Sequence, residues 1–151
     1  MEKPGAVRIH RRLVDSLYVE AMLLADEARA YFDQAGRADR DTMTAIERVS
    51  FSCESLKVTT RLMHIIAWLL TQRAVDAGEL TPEDARKPSR RLGDAPETDL
   101  ATLDAMPVPA AAIVSGSIEL HRRVRRLDAS LDEMAVSSPA RSMIERLAAA
   151  F

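Results

Sequence analysis

Aromatic residues make up only 4% of this chain, it holds one cysteine, and its longest uninterrupted apolar run is the six residues from Ile65 to Leu70. Each scarcity excludes something. A lone Cys53 cannot form an intramolecular disulfide and fits a reducing compartment. Six apolar residues fall far short of the roughly 20 that a membrane-spanning helix needs. The five glycines are scattered singly, so there is no glycine-rich loop to cradle a phosphate. Lys and Arg number 21 against 23 Asp and Glu, a net charge of −2, and no global field draws the chain to nucleic acid or anionic lipid. From Met1 to Arg12 the sequence is polar and basic with no apolar stretch behind it, which argues against a secretory signal.

What is present is helical. With few aromatics, the core must come from Leu, Ala, Ile, Val and seven Met, and Ala, Leu and Met favour helices over strands. A chain of 151 residues suits one domain. We divide it into a disordered basic arm over 1–14, a bundle over 15–136 and a flexible, helix-prone tail over 137–151. The fold class predicted is all-α, an antiparallel three-helix bundle with a long central helix and a long loop between helices two and three.

The first helix is predicted to start at a cap on Asp15 or Ser16 and to stop before Gly36, with Leu17, Ala21, Leu24, Ala28 and Tyr31 on one face. The second opens with Thr44 and Glu47 in capping-box spacing and runs to Gly78, about 33 residues or roughly 50 Å. Along it Ile46, Val49, Cys53, Leu56, Thr60, Met63, Ala67, Leu70 and Ala74 keep a three-four rhythm, read as the seam facing the bundle. The third follows Pro107 and Pro109 and ends at Ser137 to Pro139, carrying Ile113, Ser117, Leu120, Val124, Leu127, Leu131 and Met134. Within the connecting loop, Thr81 and Pro82 predict a short helix to about Lys87, and Pro88 to Pro96 is expected to be mobile.

Nearly opposite Thr60 and Ala67, the second helix carries Phe51, Val58, Leu62, Ile65 and Leu69. Three narrow stripes leave that arc in excess, so it is read as a homodimer interface, against the alternative that a tight monomer covers it. A third wedge holds Arg61, His64 and Trp68. The only tryptophan among polar neighbours makes a candidate partner-binding site, weighed against a ring lying along the bundle edge under the loop. The tail places Met143, Ile144, Leu147 and Phe151 on one side, a further partner-binding face too short to be stable alone.

No catalytic constellation emerges. Cys53 occupies a heptad position and reads as a small hydrophobe. His10, His64 and His121 have no His partner at i, i+4, which argues against a metal site. The paired E-x-x-E and E-x-x-D motifs of dimeric helical nucleotide pyrophosphohydrolases are missing from helices one and two. We therefore expect no enzyme activity, no catalytic residues, no metal and no cofactor. The alternative is a helical DNA-binding regulator using Arg122, Arg123, Arg125 and Arg126 of helix three, with Arg8, Arg11 and Arg12 on the arm. Against it, Glu119 can pair with Arg123, Asp128, Asp132 and Glu133 follow closely, and no short helix-turn-helix precedes the helix.

The stretches SLYVEAMLLADEARAYF, from Ser16 to Phe32, and ESLKVTTRLMHIIAWLLTQRAVDAGELT, from Glu54 to Thr81, resemble the alphaproteobacterial regulators of CtrA degradation, the RcdA-like family. The likeness is strongest at Leu17-Tyr18, Glu20 to Met22, Glu27 to Arg29, Tyr31-Phe32, Thr59 to Met63, Trp68 to Leu70 and Gln72 to Val75, and extends more thinly to the terminal RLAAAF. That resemblance implies a non-enzymatic adaptor of the ClpXP protease, a dimeric three-helix bundle with a flexible C-terminal tail. Implied partners are protease primed by a response regulator, a cyclic-di-GMP-binding adaptor, and proteolysis substrates such as the cell-cycle regulator CtrA. A cytoplasmic place of action, extending to recruitment at the cell pole, goes with this reading.

Overall fold

A computed structural model of the chain describes residues 4–136 and 139–151. The described residues form helices and connections with no strand among them. Three long helices, α1 (Pro4–Ala30), α3 (Ala45–Asp76) and α6 (Val108–Val136), pack on one another as the expected all-α bundle. Short α2 (Gly36–Asp41), α4 (Pro82–Ala85) and α5 (Leu100–Ala105) lie between them, and α7 (Pro139–Ala150) follows.

The first helix starts at Pro4, where an arm without structure was expected. Asp15 and Ser16 lie inside it, and the physical reason is Val14, which extends the stripe of Leu17 and Ala21 and is fully buried. Arg11 reaches the other end of α3, donating from Nη2 to the Asp76 carbonyl at 3.2 Å. Nor does the helix stop before Gly36. Tyr31–Ala35 form a π turn that leads directly into α2. This wider turn sets Tyr31 and Phe32 both against Phe51, with ring centroids 6.1 and 5.2 Å away. Gly36 adopts ordinary helical φ, and its missing side chain serves contact, because a Cβ there would lie 2.8 Å from the Tyr31 carbonyl oxygen and 3.1 Å from its ring. The Tyr31 hydroxyl donates to Asp39 at 2.7 Å. Burial, and then that bond, push its pKa well above the usual phenol value.

The predicted capping box is present in α3: Glu47 N–H donates to Thr44 Oγ1 and Thr44 N–H to the Glu47 carboxylate, both at 3.3 Å. Gly78 ends the helix at φ 75°, the left-handed stop its sequence position foretold. Thr81 caps α4 through Asp84 N–H at 3.1 Å.

Directions follow from cross-contacts. Asp15 meets Arg73 at 3.0 Å and Tyr31 meets Phe51, so α1 is antiparallel to α3. Arg61 meets Ser117 and Trp68 meets Asp128, so α3 and α6 run parallel, and the bundle is not antiparallel throughout as expected. Parallel neighbours require a connection that travels back along the bundle, as residues 77–107 do. This is the structural reason for the long loop. Its segment from Pro88 to Pro96 is tied down where mobility was expected, by the bonds described below.

The core is built from Val14, Leu17 and Ala21 of α1, Phe51, Val58, Leu62, Ile65, Trp68 and Leu69 of α3, and Ala110, Ile113, Val114, Leu120 and Val124 of α6. At roughly 1.5–3 kcal/mol for each large apolar side chain removed from water, these residues dominate the folding free energy.

Candidate functional site

The wedge proposed for partner binding, Arg61, His64 and Trp68, faces inward. Trp68 is 2% exposed, and its indole Nε1–H donates to Asp128 Oδ1 at 2.9 Å. This is the alternative weighed above, a ring along the bundle edge under the loop. Arg91 of the loop shares the same Asp128 oxygen at 2.8 Å and also reaches Asp132 at 3.2 Å, and the bond to Asp128 raises its already high pKa.

Arg61 is fully buried. Its Nη2 donates to the Pro96 carbonyl and to Thr98 Oγ1, each at 2.8 Å, and Nη1 donates to Ser117 Oγ at 3.2 Å. Thr98 passes the interaction on, donating to Glu54 Oε2 at 2.6 Å, while Lys57 holds the other Glu54 oxygen at 2.8 Å. Burial lowers the Arg61 pKa and the Glu54 charge opposes that shift. A buried guanidinium is tolerable only with its donors satisfied, and loop residues supply two of its acceptors. His64 donates from Nδ1 to the Asp94 carbonyl at 2.8 Å, and buried His121 donates from Nε2 to the Gly93 carbonyl at 2.9 Å. Both rings thereby present their N–H to a carbonyl. Burial first, then Arg125, His64 and Arg61, hold the His121 pKa below the ordinary imidazole value, against the pull of the Gly93 carbonyl.

Phe51, Val58, Leu62, Ile65 and Leu69, expected at a dimer interface, are between 0% and 5% exposed and form the core facing α1 and α6. They are not a free surface. The stripe expected to face the bundle is the one left outside: Ile46 is 81% exposed, Val49 61%, Leu56 67%, Met63 63% and Leu70 47%, with Cys53 exposed among them. Alongside, Ala25 and Arg29 of α1, Phe32 of the π turn, and Thr59, Met63 and Ile66 of α3 line a shallow groove.

The second unpaired apolar face belongs to α7, where Met143, Ile144, Leu147 and Phe151 are all exposed on one side. The expected boundary of this tail at Ser137 and Ser138 falls outside the described residues. On α6, Arg122 pairs with Glu119 at 2.7 Å, Arg123 with Glu20 at 2.6 Å, and Arg125 with Asp94 at 3.5 Å. Among the described residues no three His, Cys, Asp or Glu side chains converge as metal ligands would, and no helix is long and apolar enough to cross a membrane.

No curated protein among those compared matches the chain. Among solved structures, RcdA from Caulobacter crescentus is 35% identical, over 79% of this chain and 90% of that one, with a TM-score of 0.65. The family described as protein of unknown function (DUF1465) matches residues 6–151. The RcdA likeness and the family match agree, and the chain belongs to this RcdA-like, DUF1465 family of helical bundles.

Proposed function

We propose that the chain is a non-enzymatic adaptor of regulated proteolysis, helping to deliver substrates such as the cell-cycle regulator CtrA to the ClpXP protease in the cytoplasm. The observation that carries this reading is the kinship with RcdA across most of both chains. Partners are then protease primed by a response regulator, a cyclic-di-GMP-binding adaptor, and the substrates themselves. Two exposed apolar faces support it, because an adaptor works through surfaces. The outer stripe of α3, with Val49, Leu56, Met63 and Leu70, is assigned to a homodimer, and the face of α7, with Met143, Ile144, Leu147 and Phe151, to protein partners. A short amphipathic helix gains stability when its apolar face meets a groove, which permits exchange among partners.

A reconstituted degradation assay tests this reading. With ClpXP and the response regulator present, adding the chain should shorten the CtrA half-life, and deleting residues 138–151 should diminish the effect while leaving the thermal midpoint near wild type. A half-life that does not respond to the full chain refutes the adaptor role.

A further inference from the structure

Residues 91–98 cross α3 without helical structure, held by the side chains of Arg91, Asp94 and Thr98 and by a run of main-chain carbonyls. Four carbonyl oxygens each accept a bond from a side chain of the bundle: Gly93 from His121 at 2.9 Å, Asp94 from His64 at 2.8 Å, Pro96 from Arg61 at 2.8 Å and Glu97 from Lys57 at 2.7 Å. Three of the four donors, Lys57, Arg61 and His64, stand at i, i+4 and i+7, one row on a helix. Counting along α3 from residue 64 down to 57 follows the strap from 94 up to 97, so helix and strap run in opposite senses. Contact at the glycine is tightest. A Cβ on residue 93 would lie 2.6 Å from His64 Nδ1 and 2.7 Å from Cγ, so no other residue type fits without displacing the imidazole.

We propose that the groove between α3 and α6 is a receptor for an extended peptide backbone, occupied in the resting chain by its own residues 91–98, and able to take an extended glycine-containing segment of another protein when this strap lifts. Carbonyl groups are common to every peptide, so Lys57, Arg61, His64 and His121 recognise conformation and spacing more than side chains. Selectivity comes from the glycine opposite His64, from the site of Leu92, which packs on the core, and from Asp128 and Glu54, which take the Arg91 and Thr98 side chains. Grip on the strap is polar and interrupted, the kind of contact that opens locally well before the bundle unfolds.

The test uses the full chain and a fluorescein-labelled peptide of sequence RLGDAPET, residues 91–98. Gly93→Ala should lift the strap, seen as faster amide exchange across 91–98 with α3 and α6 still protected. The opened chain should bind the peptide about tenfold or more tighter than wild type, in which the tethered strap competes at high effective concentration. A peptide with alanine at the glycine position should bind about tenfold or more weaker than the original. If Gly93→Ala does not fold, Arg91→Ala with Leu92→Ser loosens the strap without touching the four donors, and the same readouts apply. Strap amides that exchange as in wild type in the loosened chain, or an opened chain that binds both peptides alike or neither, overturn the proposal.

Discussion

Glutamate placed on either side of α3 separates its two apolar faces. Leu56 is 67% exposed on the outer stripe, whereas Leu62 is 5% exposed in the core. In a single chain Leu56→Glu puts a carboxylate into water, where substitutions usually change stability by about 0.5 kcal/mol or less. In a two-fold dimer seam the same change removes a leucine from each side. Each is worth roughly 1.5–3 kcal/mol on full burial, so about 3–6 kcal/mol is lost before the cost of desolvating the carboxylates. Since about 1.4 kcal/mol is a factor of ten, the dimer Kd should rise by roughly two orders of magnitude or more. Leu62→Glu instead buries a charge against α1 and α6 and should unfold much of the bundle. Light scattering with circular dichroism reads both effects: a wild-type dimer at micromolar concentration, a helical monomer that still melts cooperatively for Leu56→Glu, lower only by the lost association, and lost helicity for Leu62→Glu. A wild-type monomer at that concentration, or a Leu56→Glu variant that remains dimeric, refutes the assignment of the outer stripe.

Arg61→Leu should cost about 3–5 kcal/mol, because it leaves half-buried Thr98, buried Ser117 and the Pro96 carbonyl short of a donor and leaves Lys57 as the cation at buried Glu54. For a chain of this size that lowers Tm by roughly 10 °C. Adding Glu54→Leu should restore part of the loss, and an Arg61→Leu melt indistinguishable from wild type would contradict the account of the network. For His121, whose folded pKa is held below the ordinary 6.5, the unfolded chain binds the proton more readily. Its contribution is therefore fully present above the unfolded value and is lost as pH falls through the folded one. Urea midpoints should fall between about pH 7.5 and about pH 5.5, and His121→Gln should flatten that slope. An unchanged slope in the variant would remove His121 from the explanation.

Local signals at the ends of α3 and α4 held, while the cap read at Asp15 or Ser16 and the stop at Gly36 did not. Thr44 with Glu47, Gly78 and Thr81 fixed helix ends through chemistry confined to four or five neighbouring residues, and the structure has each of them. Choosing which stripe of α3 faces inward was not a local problem. The buried row is Phe51, Glu54, Val58, Arg61, Ile65, Trp68 and Gln72, itself an unbroken three-four repeat. Three polar members concealed it, while the outer row of Ile46, Val49, Leu56, Met63 and Leu70 is interrupted by a single polar residue, Thr60. Glu54 and Arg61 can be buried because Thr98, Pro96 and Lys57 satisfy them, and two of those partners come from a loop about 40 positions away, which a periodicity argument cannot see. The same blindness made Trp68 look like a docking residue, since its partner Asp128 lies on another helix. Gly36 misled in the opposite way: a residue that commonly ends helices is there to admit the Tyr31 ring.

The parallel course of α3 and α6 also sets an order of assembly. A turn over Thr42–Thr44 joins α2 to α3, so the hairpin of α1 with α3 closes early and at small entropic cost. Helix α6 can enter only after residues 77–107 have been laid back along the bundle. On a ribosome adding about 5–20 residues per second, the roughly sixty residues beyond Asp76 take several seconds to emerge. Through that interval the side of α3 destined for α6, with Arg61 and Trp68, stays uncovered in the nascent chain, a surface that chaperones can meet and the finished protein no longer displays.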